Sequence, residues 1–101
     1  MLEETKHRCY WWKMHKITQA TRFTMNHGRN YMSGTDCVNF GRKLYDVSMN
    51  GLKSCPYKEY IPTFLKGTGS GLATIVVGYR KLGLYYEANT LQRVIENVFT
   101  N

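Results

Sequence analysis

The residues best suited to chemistry cluster near the start of the chain, in Lys6-His7-Arg8-Cys9-Tyr10-Trp11-Trp12-Lys13-Met14-His15-Lys16. Cations interleaved with aromatic rings can hold phosphates while the rings stack on bases, or can anchor a protein partner. Arg8, Tyr10, Trp11, Trp12, Lys13 and Lys16 are therefore the candidate partner-binding residues. One tryptophan is expected inside and one at the surface, because a chain this short needs large side chains to close its interior. A second basic group, Arg42 and Lys43 with Lys53 and Lys58, reads as a solvated face.

Other chemistries lack their spacing. His7, Cys9, His15, His27, Cys37 and Cys55 offer ligand types, but no cysteines form the close pairs, about two to four residues apart, that zinc sites use. No metal and no cofactor are expected; Cys9 and Cys37 are expected as buried free thiols. A cysteine nucleophile assisted by His27 is a combination that any chain with such a composition permits. The seven acids are spread along the chain, and Glu3-Glu4 reads as a helix N-terminus, four residues ahead of His7 and Arg8. No catalytic residue is assigned, and the chain reads as a non-enzyme. Gly67-Thr68-Gly69-Ser70-Gly71 suggests a phosphate cradle. It lacks the Lys-Ser/Thr ending of a P-loop and the spacing of a dinucleotide fingerprint, and reads as a flexible connection.

The 101 residues make a single domain, 1–101, with one modest core. Hydrophobic residues at 43% and aromatics at 14% exclude a disordered tail. Fourteen Lys and Arg against seven Asp and Glu give a net charge of +7, which favours an acidic protein or nucleic acid as partner. Three cysteines, an odd number, stand behind an acidic N-terminus unlike a secretory signal. The expected location is cytoplasmic, intracellular and reducing, a setting that also fits a viral or phage protein in its host. No apolar run approaches the ~20 residues that cross a bilayer, so no membrane partner is expected.

The elements that must position these residues read as helices. Leu2 to Met25 lacks glycine and proline, favouring one long element, with Asn26-His27-Gly28 as its C-cap. Its apolar face is untidy, interrupted by Lys13 and Lys16. Arg29 to Gly34 reads as a loop, and Thr35 or Asp36 as the next N-cap. Cys37, Phe40, Gly41, Leu44 and Val47 share one helix face, with Asn39, Arg42, Lys43 and Asp46 opposite, and Asn50-Gly51 ends the helix. Pro56 is a candidate helix opener and Pro62 a breaker. Leu72, Ile75, Val76, Tyr79, Leu82, Gly83 and Tyr86 then recur at helical spacing, followed by a second stripe of Leu91, Val94, Ile95, Val98 and Phe99. Val94 is expected in the core, so that Val94→Asp unfolds the domain.

Between the stripes, Tyr79-Arg80-Lys81-Leu82-Gly83-Leu84-Tyr85-Tyr86-Glu87-Ala88 resembles the middle of a tetratricopeptide repeat. Leu72, Ile75 and Tyr79 fall on its first helix, and Gly83, Tyr85, Glu87 and Ala88 on the turn and second helix. Val76 stands where the repeat has glycine, Leu91 is one place early for its second aromatic, and no proline closes the unit. The resemblance implies a helical hairpin over 72–99 that binds proteins, and a lone hairpin implies docking or homo-oligomer formation.

The fold class is all-α, a bundle of three to four helices, with an α+β alternative in which β-branched Ala73 to Val77 and Leu84 to Tyr86 form a hairpin at 73–87. The function read from these features is a helical module that docks on an acidic protein partner as adaptor or inhibitor. The alternative is a small RNA- or DNA-binding protein using the basic-aromatic surface.

Overall fold

Four long helices carry the chain: α1 Leu2–Phe23, α2 Gly34–Ser54, α3 Ile61–Lys81 and α4 Tyr85–Phe99. This computed structural model describes residues 2–99, with side chains from residue 6 onward. The expected pairing of Glu3 and Glu4 with His7 and Arg8 lies outside the described side chains. Among the described residues there is no strand, so the hairpin alternative at 73–87 is not supported and the protein is a small all-α bundle.

The centre of the bundle is the antiparallel pair α2–α3, and it is built on the absence of side chains. A β-carbon on Gly41 would lie 2.6 Å from the Gly71 carbonyl oxygen, and one on Gly71 would lie 2.8 Å from the Gly41 carbonyl oxygen. Backbone meets backbone at that level. Gly78 repeats the arrangement against Gly34. Gly67 to Gly71 is thus not a connection: it lies inside α3, where Gly67 and Gly71 face α2 with no room for a side chain and Gly69 points away from it. Gly51 likewise does not end α2, which continues to Ser54 while Gly51 receives the ring of Phe64.

Helix ends follow local chemistry. The N-cap of α2 is Ser33, earlier than expected, whose hydroxyl accepts the Asp36 N–H at 3.1 Å. Pro62 sits in the first turn of α3, where a missing N–H costs nothing, so it starts the helix rather than breaking it. At the α3–α4 turn the Leu84 N–H reaches the Tyr79 carbonyl at 2.8 Å and the Gly83 N–H that of Arg80 at 3.1 Å. This Schellman arrangement needs a left-handed residue, and Gly83 supplies it with φ +77°. The helical hairpin expected over 72–99 is therefore present.

After α1 the chain kinks through Thr24–Gly28, where Asn26 and His27 leave helical geometry and His27 takes φ 72°. The left-handed position falls on His27 rather than on Gly28, which is pressed against Phe23 with no room for a side chain. Arg29–Tyr31, expected as loop, forms a single helical turn. Its Arg29 guanidinium reaches α3, donating to Thr74 Oγ1 at 2.9 Å and to the Ser70 carbonyl at 3.4 Å. Lys81 Nζ in turn donates to the Arg29 and Met32 carbonyls. Partial burial lowers the Arg29 pKa from its ordinary value, with Cys37 opposing.

The apolar core gathers Tyr10, Ile17, Leu44, Tyr60 and Phe64 between α1, α2 and α3. α4 packs chiefly on α3: Ala88 is fully buried, whereas Val94 is 48% and Val98 65% exposed. The expected inward stripe of α4 is thus half open, since nothing covers its far side among the described residues. The radius of gyration, 14.5 Å, exceeds the roughly 13 Å of a compact domain of this length, consistent with a chain that spreads its helices into a plate 18 Å thick.

Candidate partner-binding face

α1 and the kink that follows it are pinned to the bundle at three levels. Tyr10 Oη donates to the Ser54 carbonyl at 2.9 Å, Ile17 enters the core, and Thr24 Oγ1 hydrogen-bonds Ser70 Oγ at 2.6 Å. The His7 ring packs tilted against Tyr57 at a ring separation of 4.5 Å, lies 3.2 Å from Tyr60 Oη, and sits 3.6 Å from Glu59. Burial pushes the Tyr60 hydroxyl above the ordinary phenol range, and the charges of Glu59 and Cys55 add to this.

With one side so fixed, the opposite side of α1 must face outward. Trp11 and Trp12 are 45% and 56% exposed, so neither is the core tryptophan that the sequence suggests. Phe64, Tyr10 and Tyr60 supply the large rings of the interior instead. Trp11 stacks flat on His15 at 5.3 Å, and Trp12 meets Trp11 edge-on at 5.7 Å. Lys16 Nζ stands 5.9 Å from the Trp12 ring. The Trp11–His15 and Trp12–Lys16 contacts each join side chains four residues apart on one helix face.

Of the six candidate residues, Arg8, Trp11, Trp12, Lys13 and Lys16 are exposed. Tyr10 is not: it is 8% exposed, with its hydroxyl committed to Ser54, and lies beyond a partner's reach. Lys13 Nζ covers the outer side of its ring at 4.9 Å. Cys9, expected buried, is exposed, while Cys37 is fully buried.

Beside this face lies a feature that the sequence reading did not assemble. Lys13, Lys16, Ile17 and Ala20 of α1 line a groove of about 370 Å³, and Phe40, Lys43, Leu44 and Val47 of α2 form its other wall. Both helices contribute the same i, i+3, i+4, i+7 pattern, and both run antiparallel there, since Phe23 meets Phe40 at 5.4 Å while Tyr10 meets Ser54. Lys13 and Lys16, which interrupt the apolar face in the sequence, mark its edge in the structure. From Lys6 to Arg29 the chain carries six Lys and Arg and no Asp or Glu.

Among the described residues no three His, Cys, Asp or Glu side chains gather as a metal site, and no helix is long and apolar enough to cross a membrane. Comparison of the chain with protein-family models, with curated proteins and with solved structures returned no match. The tetratricopeptide resemblance thus rests on the residues of 72–99 alone.

Proposed function

We propose that this chain is a non-enzymatic helical binding module that docks on an acidic protein partner, as an adaptor or inhibitor in a reducing cytoplasm. One observation carries the reading: two tryptophans on a helix pinned from behind stand in solvent, framed by Arg8, Lys13 and Lys16. Large aromatic side chains left exposed on a rigid element supply interface area at little entropic cost. A half-covered α4 adds a second surface through which the chain can self-associate.

The second reading, nucleic-acid binding, draws on the acid-free run from Lys6 to Arg29. Salt separates the two. Phosphate contacts weaken binding steeply as salt rises, each contributing about one unit to the log-log slope. An aromatic-anchored protein interface depends on salt far less.

The test is capture of partners by the wild-type chain, repeated after nuclease and with Trp11→Ala and Trp12→Ala. Capture that survives nuclease and is weakened in either variant supports the module. Unchanged capture by both variants removes the face from consideration.

A further inference from the structure

We propose that the groove between α1 and α2 receives an acidic amphipathic helix from the protein partner, an inference that rests on the binding-module reading above. The walls present their side chains at i, i+3, i+4 and i+7, two turns of helix or about 10 Å on each side. An added helix laid along such a trough places its own i, i+3/i+4, i+7 stripe against the floor, as in helix-in-groove recognition. Ile17 and Leu44 are buried at the bottom, whereas Val47 is 42% exposed at the rim and still lacks a covering residue.

Charge selects the occupant. Lys13 and Lys16 project from one wall and Lys43 from the other, and among the described residues no Asp or Glu lines the groove. An apolar stripe flanked on both sides by carboxylates meets all three ammonium groups while filling the floor. A single fatty-acid carboxylate would leave cations on the opposite wall unmatched. A nucleic-acid backbone would satisfy the lysines but leave the aliphatic floor empty. The groove also shares Lys13 and Lys16 with the tryptophan face, so one partner can contact both surfaces at once.

The experiment uses the full chain and a synthetic peptide of about four helical turns, with leucines at i, i+3, i+4 and i+7 and glutamates on either flank. A scrambled peptide of the same composition is the control. Calorimetry and amide chemical-shift mapping are expected to show the striped peptide bound over α1 and α2, with the scrambled peptide at least tenfold weaker. Lys43→Glu and Val47→Asp, both at exposed positions, should each weaken the striped peptide tenfold or more. Lys13→Glu/Lys16→Glu/Lys43→Glu should regain affinity for a peptide whose glutamates are replaced by lysines.

Equal binding of both peptides, or shifts lying wholly outside the groove, would overturn the proposal. So would tighter binding of dodecanoate or of an RNA oligonucleotide at these residues, or self-association that Val47→Asp abolishes. Partner capture that survives nuclease and depends on Trp11, combined with no peptide binding, refutes the groove and leaves the module reading standing. Capture lost to nuclease refutes that reading, while the peptide titration still decides the groove.

Discussion

The carbonyl oxygen of Gly71 occupies the space a β-carbon on Gly41 would need, 2.6 Å from its ideal position. Either substitution by alanine must separate α2 from α3, because the obstructing atoms are backbone. Alanine gains about 1 kcal/mol of helix propensity over glycine, but overpacking costs about 1–3 kcal/mol and is at its worst against an immovable neighbour. Gly41→Ala and Gly71→Ala are expected to lower Tm by several degrees. Gly69→Ala should raise it, since its nearest neighbour is Phe99 Cε1 at 3.9 Å, an ordinary contact. Thermal melts followed by circular dichroism distinguish the three; a Gly71→Ala variant as stable as Gly69→Ala contradicts the close approach.

Trp11→Ala, Trp12→Ala and Val94→Asp should all remain folded, each within about 0.5–1 kcal/mol of wild type, because all three positions are open to solvent. Phe64→Ala, at a fully buried ring, should cost about 3–5 kcal/mol. Urea midpoints test the contrast. Unfolding of the Val94→Asp variant would mean that α4 has a covered face which the bundle does not display.

Arg29 ties the kink to α3 through Thr74 and Ser70. Loss of a hydrogen-bonding charged group at a partly buried site costs about 1.5–3 kcal/mol, and Arg29→Ala is expected within that range. Arg29→Lys should recover only part, since an ammonium lacks the planar fork that reaches two residues at once. Full recovery by lysine in chemical denaturation would show that charge alone suffices.

Tyr60 sets an alkaline limit. A phenol whose pKa folding raises keeps its proton in the folded chain where the unfolded chain has lost it, so stability is intact below about pH 10 and falls as pH climbs toward the raised value. Tyr60→Phe should flatten that decline while losing the hydrogen bond to His7. Parallel alkaline denaturation profiles for the two proteins would rule out Tyr60 as the titrating group.

The helices were readable where large side chains recur, as at Leu44 on α2 and at Ile75 and Val76 on α3. The packing of α3 was not, because beside Phe64, Ile75 and Val76 its buried side is made of Gly67, Thr68, Gly71, Thr74 and Gly78, residues that a search for apolar stripes passes over. The same bias placed Leu82 and Tyr86 inside, although they are 47% and 80% exposed. One tryptophan is expected at the surface and one inside; that both are exposed was not legible, because the interior places are taken by Tyr10, Tyr60 and Phe64. The basic-aromatic run itself was plain, but the groove needed the α1–α2 register, which no local pattern specifies.

Unequal support among the helices sets the order in which the protein opens. Amide hydrogens in α2 and α3, held backbone to backbone at Gly41 and Gly71, should exchange with deuterium last and together. Those of α4, held along one edge, should exchange first, giving a rigid spine beside a segment free to unhook and refold on another surface.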